Sequence, residues 1–253
     1  MWDTYIIIPM TNVLLWIYES TEFIGFNFGI AIILFTILIR AITWPLTAQQ
    51  LKGTQGMQEL QKDKEWLSIQ KKNKNDKEKL AQEQMRIYKE RGINPFGSCL
   101  PTLIQFPVII GLYQAIIRSL ASTPLSLLNM SRSLYSFLDV SKVIPLNSKF
   151  LWMDLGRPES LEVFGFALPT LAVVVVITSY IQSKLMTPPS NPGDQSAAMG
   201  NMMSIYMPFL MGYFAMTFAS GLALYFITSN LLGIAQYAMM GKANWSNLIP
   251  GRK

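Results

Sequence analysis

The sequence has no histidine, one cysteine and only 14% charged residues in 253. Without histidine there is no His-based triad, no His metal site and no His general base. One cysteine excludes an internal disulfide and any CxxC site. Soluble domains carry about 25% charged residues, so an ordinary globule would lack a coat. No G-x-x-x-x-G-K-[S/T] run occurs, which removes a P-loop nucleotide site. What is abundant is apolar: 51% of the chain, with fourteen prolines and fifteen methionines. That much apolar material excludes disorder. It points to membrane helices with adaptable packing. The expected fold is an all-α polytopic membrane protein.

A helix needs about 20 mainly apolar residues to cross roughly 30 Å of hydrocarbon. Five such runs are predicted: Phe28 to Leu46, Pro95 to Ile117, Ala167 to Leu185, Met202 to Phe218, and Gly221 to Met240. Ala219, Ser220 and Gly221 leave only a tight turn between the last two. The stretch from Trp2 to Glu22 is apolar, tryptophan-bearing and short, which suits a helix lying in the membrane interface. The expected organisation is an interfacial amphipathic helix over 1–24 and a five-helix core over 25–46 and 95–240. A helical hairpin over 47–94 and a short basic tail over 241–253 complete it.

Loop charge sets the expected orientation. Residues 47–94 hold eleven Lys/Arg against seven Asp/Glu, and the tail after Met240 holds three bases and no acid. The segment before the first span holds three acids and no base. Positive-inside counting puts 47–94 and the C-terminus in the cytoplasm and the N-terminus outside. Short ends without a transit peptide favour a bacterial inner membrane, multi-pass.

The 47–94 segment is proline-free and dense in Lys, Glu, Gln and Leu. It reads as two antiparallel helices, roughly 53–72 and 77–91, turning near Asn73, Asn75 and Asp76. Lys62, Lys64, Lys71 and Lys72 are its candidate partner-binding residues. They form either a solubilising face or a docking arm for lipid headgroups or ribosomal RNA.

Arg40 is the one charge well inside a predicted span. A central Arg is disfavoured by about 2.5–3.5 kcal/mol even on translocon scales. No other predicted span contains an acid, so a buried ion pair between spans is excluded. The guanidinium either snorkels to the cytoplasmic surface or lines a hydrated cavity. Uncharged polar groups that could share such a cavity are present. Thr36 and Thr43 lie on the Arg40 face of their helix. Thr102, Gln105, Tyr113 and Gln114 lie on the second span, Thr178, Ser179 and Gln182 on the third, and Tyr225, Thr228, Ser229, Asn230 and Gln236 on the fifth. A groove of this kind offers donors and positive charge but no nucleophile or acid, so it holds a ligand and performs no bond chemistry. A small channel or anion transporter using Arg40 is the alternative function.

These residues resemble the YidC/Oxa/Alb membrane insertase family over about residues 2–240. ILFTILIRAITWPLTAQQ resembles the family's arginine-bearing first helix, and GINPFGSCLPTLIQFPVIIGLYQAI its Asn-Pro-x-x-x-Cys-Leu-Pro signature. YIQSKLM and MPFLMGYFAMTFASGLALYFITSNLLGIAQ resemble its third helix end and its final hairpin. The resemblance implies an insertase and chaperone with a positively charged groove open to cytoplasm and lipid. Its groove residues fall on Arg40, Thr36, Gln182 and Tyr225. Implied partners are nascent membrane proteins, the bilayer, the ribosome, the signal recognition particle receptor and the Sec translocon. Neither DNA, a metal nor a cofactor is implied, and the protein is not expected to be an enzyme.

Overall fold

The computed structural model describes residues 1–22, 27–73, 76–92, 100–120, 123–139, 146–163, 166–186 and 195–241. Cys99, the start of the second predicted span, the connector around 187–194 and the tail beyond Gly241 lie outside the described residues.

The chain is mostly helical. A wide turn at Asp3–Ile7 leads into α1, Ile8–Glu22. Helix α2 follows, Phe28–Lys62, with Asn27 capping its start by accepting from the Ile30 amide. Next come α3, Lys64–Lys72, and α4, Lys77–Glu90. Then come α5, Leu100–Ser119, and α6, Pro124–Ser133. Two short antiparallel hairpins interrupt the helices: β1 (Lys149–Phe150) with β2 (Met153–Asp154), and β3 (Leu161–Val163) with β4 (Phe166–Leu168). The chain ends in α7, Thr170–Met186, α8, Gln195–Thr217, and α9, Ser220–Met239.

Several elements differ from expectation for local reasons. Helix α2 does not stop after the apolar run but continues to Lys62, since no proline or cap follows Pro45 until Asp63. Asp63 ends α2 and caps α3, accepting from the Glu65 amide at 2.8 Å. The first arm of the predicted 53–72 helix is therefore split at Asp63. Helix α7 starts at Thr170, not Ala167, because Phe166–Leu168 pairs as β4 and Pro169 separates it from the helix. Helix α6, the first hairpin and most of the second lie in the 121–166 connection, where no element was expected. Thr123 and Ser126 form a capping box there, with Pro124 in the first turn.

Among the described residues, two helices are long and apolar enough to cross a membrane alone: Phe28–Ala48 (21 residues) and Ser220–Met239 (20 residues). The apolar helix Thr170–Leu185 is shorter. These pack around one core. Phe28, Ile32 and Phe35 from α2 meet Leu112 and Ile116 from α5, Val175 from α7, and Leu222, Tyr225 and Phe226 from α9. Helix α1 buries Leu14, Ile17 and Tyr18 on that core and leaves Trp16 exposed, as are Trp2 and Tyr5 ahead of it. Asn12 ties α1 to the end of α6, donating to the Ser133 carbonyl at 3.0 Å and accepting from the Tyr135 amide at 2.7 Å.

Candidate functional site

The site grows from one stripe of α9. Tyr225, Ser229, Gly233 and Gln236 recur at spacings of four and three, so they share a face. Arg40 reaches that stripe from α2. Its Nε donates to Ser229 Oγ at 3.0 Å, and its Nη2 donates to Ser229 Oγ at 2.6 Å and to the Ser229 carbonyl at 2.8 Å. Gly233 stands one turn beyond Ser229, and α-helical side chains lean back over the preceding turn. A missing side chain at 233 therefore leaves the Ser229 carbonyl open to the guanidinium. A methyl there would collide with the Gln182 amide and lie 3.6 Å from Arg40 Nη2. Gln182 of α7, Arg40 of α2 and the α9 stripe thus meet over Gly233.

Tyr225 extends the cluster. Its ring is buried, and its hydroxyl accepts from Gln105 Nε2 of α5. Arg40, Gln105, Gln182 and Tyr225 are therefore gathered by four helices. The remaining candidates have other partners. Thr36 is buried and donates to the Ile32 carbonyl at 2.7 Å. Thr43 donates to the Ile39 carbonyl at 2.8 Å. Asn230 turns to α7, donating to Thr178 Oγ1 at 3.1 Å and Ser179 Oγ at 2.8 Å. These four bonds are the helix-satisfying and helix-packing kind common in apolar spans.

Arg40 is half-buried, and no carboxylate pairs with it among the described residues. The sequence suggested water as its partner; the structure supplies a serine hydroxyl and a backbone carbonyl. Ser229 was one of five polar residues on its helix and nothing distinguished it. Gly233 carried no signal, because glycine is frequent in apolar helices.

The α2–α3–α4 region is held separately. Leu60, Trp66, Leu80, Ile87 and Tyr88 form its apolar seam. Arg91, just past α4, clamps the α2–α3 junction, with Nη1 2.6 Å from Asp63 Oδ2 and Nη2 3.4 Å from Glu65 Oε2. Lys64, Lys71 and Lys72 are exposed, and the Lys62 side chain lies outside the described residues. The Arg91 hydrogen bond, then the Glu65 amide, holds the Asp63 carboxyl below its usual range. A depressed carboxyl stabilises above its unfolded value, and that support is lost as pH falls through the folded one. Amide protection over Lys64–Lys72 should therefore weaken below about pH 4, the ordinary Asp range. Asp63→Asn should show the weakened protection already at neutral pH, with little further loss on acidification. Hydrogen exchange across pH, corrected for intrinsic rates, checks this.

The Arg40 cluster contains no nucleophile and base in reach of each other, and no group of three or more metal-ligating side chains occurs among the described residues. The sequence model of the 60Kd inner membrane protein family matches residues 19–246. The membrane protein insertase MisCA of Bacillus subtilis is 33% identical over 237 residues, covering 93% of this chain and 77% of that one. YidC of Fusobacterium nucleatum is 36% identical, covering 88% and 90%. YidC of Syntrophobacter fumaroxidans is 35% identical, and this chain spans only 37% of its length. A crystal structure of an active YidC insertase with its first transmembrane domain resolved superposes with TM-score 0.56 at 26% identity, over 91% of this chain and 45% of that chain. The chain belongs to the YidC/Oxa/Alb family. Its relatives are named membrane protein insertases, not enzymes that make or break covalent bonds.

Proposed function

We propose that this protein inserts membrane proteins by receiving their hydrophobic segments at the Arg40 cluster. The observation that carries the reading is a guanidinium fixed between α2 and α9 by uncharged oxygens alone. A cation held this way keeps its charge available to an incoming acid. In this reading Arg40, Gln182 and Gln105 face the client, the buried Tyr225 holds Gln105 in place, and Thr36, Thr43 and Asn230 support the groove wall.

The chain then works as a five-span core over 25–46 and 95–240, with 1–24 in the interface. Residues 47–94 and the tail 241–253 face the cytoplasm of a bacterium, and the N-terminus lies outside. Lys62, Lys64, Lys71 and Lys72 would meet the ribosome, the signal recognition particle receptor or anionic headgroups, and the core would work beside the Sec translocon.

The physical task is to carry a client's polar tail past hydrocarbon. A groove reaching partway into the bilayer shortens the dry path. Arg40 offers charge-assisted hydrogen bonds to tail carboxylates. Transfer of the client's apolar segment into lipid then drives release, at about 25 cal/mol per Å² removed from water. No nucleotide enters the cycle.

Photo-crosslinkers at positions 40 and 182, tested against a ribosome-stalled client, report on this directly. Both positions are expected to capture the client while its apolar segment is emerging, and a crosslinker at Leu231 to capture it less. Capture equal at all three positions would refute a specific groove.

A further inference from the structure

The β1–β2 hairpin turns through Leu151 and Trp152. Leu151 has a left-handed backbone, φ 54°. Two-residue hairpin tips of this kind favour Asn-Gly or Gly, because a bulky L-residue is strained there. Here the tip instead carries a leucine 73% exposed and a tryptophan 56% exposed. A tip in water would gain nothing from either side chain.

The hairpin is pinned to the first turns of three helices. The Phe150 ring lies so close over Gly29 of α2 that a methyl at 29 would collide with it. On α9, Ser220 Oγ donates to the Asp154 carbonyl at 2.6 Å and the Gly221 amide to the Leu155 carbonyl at 3.1 Å. Glu159 accepts from Trp152 Nε1 at 3.1 Å, from Thr170 Oγ1 at 2.6 Å and from the Leu171 amide at 3.1 Å, which ties Trp152 to the start of α7.

These anchors fix the depth of the tip. The hairpin and Glu159 join the first turns of α2, α7 and α9, and the Arg40–Ser229 and Asn230–Thr178 bonds join the same helices further along each chain, so the three run in the same direction. Their first turns therefore lie at one end of the bundle. The apolar part of α2 is 21 residues long, about 31 Å at 1.5 Å per residue, close to the thickness of the hydrocarbon. Gly29 then sits at the hydrocarbon edge. Phe150 touches it, and Leu151 is the next residue. The tip is level with the zone where tryptophan prefers to lie, ring body in the apolar layer and N–H satisfied.

We propose that Leu151 and Trp152 are a lipid anchor, inserted into the interfacial layer of the leaflet at the end where α2, α7 and α9 begin. The anchor holds the hairpin down across the three helix starts. It depends on α2 and α9 spanning the bilayer and is independent of any insertion activity.

The test uses the full chain in nanodiscs, with Cys99→Ser as background and a nitroxide placed in turn at Leu151→Cys, Leu231→Cys and Lys71→Cys. Leu231 faces away from the Arg40 stripe on α9 and reports lipid; Lys71 reports water. At 151, collisions with oxygen are expected to exceed those with a water-soluble nickel chelate, as at 231 and opposite to 71. Nickel dominance at 151 with oxygen dominance at 231 overturns the anchor. So does immobilisation of the label with access to neither reagent, which marks a protein partner. Nickel dominance at 231 as well removes the spans and the anchor together. A second measurement leaves the tip unlabelled: the fluorescence difference between the native chain and Trp152→Phe isolates Trp152. Brominated lipid is expected to quench that difference by roughly half or more, since interfacial aromatic groups lie within about 5–10 Å of the acyl boundary. Quenching by aqueous iodide in place of bromolipid refutes the proposal.

Discussion

Arg40→Ala is expected to block insertion of clients whose translocated tails carry carboxylates, and Arg40→Lys to restore part of it. The guanidinium makes three hydrogen bonds to Ser229 and none to a carboxylate among the described residues. An incoming acid therefore meets a cation already oriented but not neutralised. Hydrogen bonds involving a charged group contribute about 1.5–3 kcal/mol. At 1.4 kcal/mol per factor of ten, alanine should lower engagement of an acidic tail by about 10- to 100-fold. Lysine keeps a point charge but loses the planar fork that holds both Ser229 oxygens, so its rescue should be partial. Clients with neutral tails have no carboxylate to lose and should insert nearly normally. Protease protection of a tail series with zero, one and three acids measures the effect. A loss independent of tail charge would mean that Arg40 only holds α2 against α9, and Ser229→Ala would then reproduce it.

Much of this arrangement was legible in the residues themselves. A lone charge in an apolar run stands out against the free-energy cost of placing it there, so Arg40 needed no structure to be found. Its partner did need one, because a backbone carbonyl has no letter in the sequence. Ser229 looked like Thr228 and Asn230, and only the rotation of α9 about its axis separates them. Asn230 faces α7 and Ser229 faces α2, one residue apart and about 100° around the helix. The Ala167 boundary failed for a related reason. Phe166–Leu168 is apolar enough to pass for the start of a span, and the pairing with Leu161–Val163 that makes it a strand is a contact between segments. The apolar run expected to end at Leu46 ends at Ala48, but the helix carrying it runs on to the Asp63 cap because helix propensity persists where apolarity stops.

Gly233 gives the sharpest separation between folding and function. Gly233→Leu should abolish activity, since its side chain would occupy the place where the Gln182 amide and Arg40 Nη2 converge. Gly233→Ala is the more informative change. Its methyl collides with the far end of the Gln182 side chain, which can swing aside, and meets Arg40 Nη2 at an ordinary 3.6 Å. Replacing glycine by alanine inside a helix stabilises it by roughly 0.5–1 kcal/mol. The alanine variant should therefore unfold at equal or higher temperature while inserting fewer clients, a combination that a packing defect does not produce. If the glycine serves to seat Gln182, the double variant with Gln182→Ala should insert no worse than Gly233→Ala alone, because residues acting through one contact are not additive. Additive losses would mean that Gly233 and Gln182 act separately and not through one contact, and a lower unfolding temperature for Gly233→Ala would assign Gly233 to helix packing.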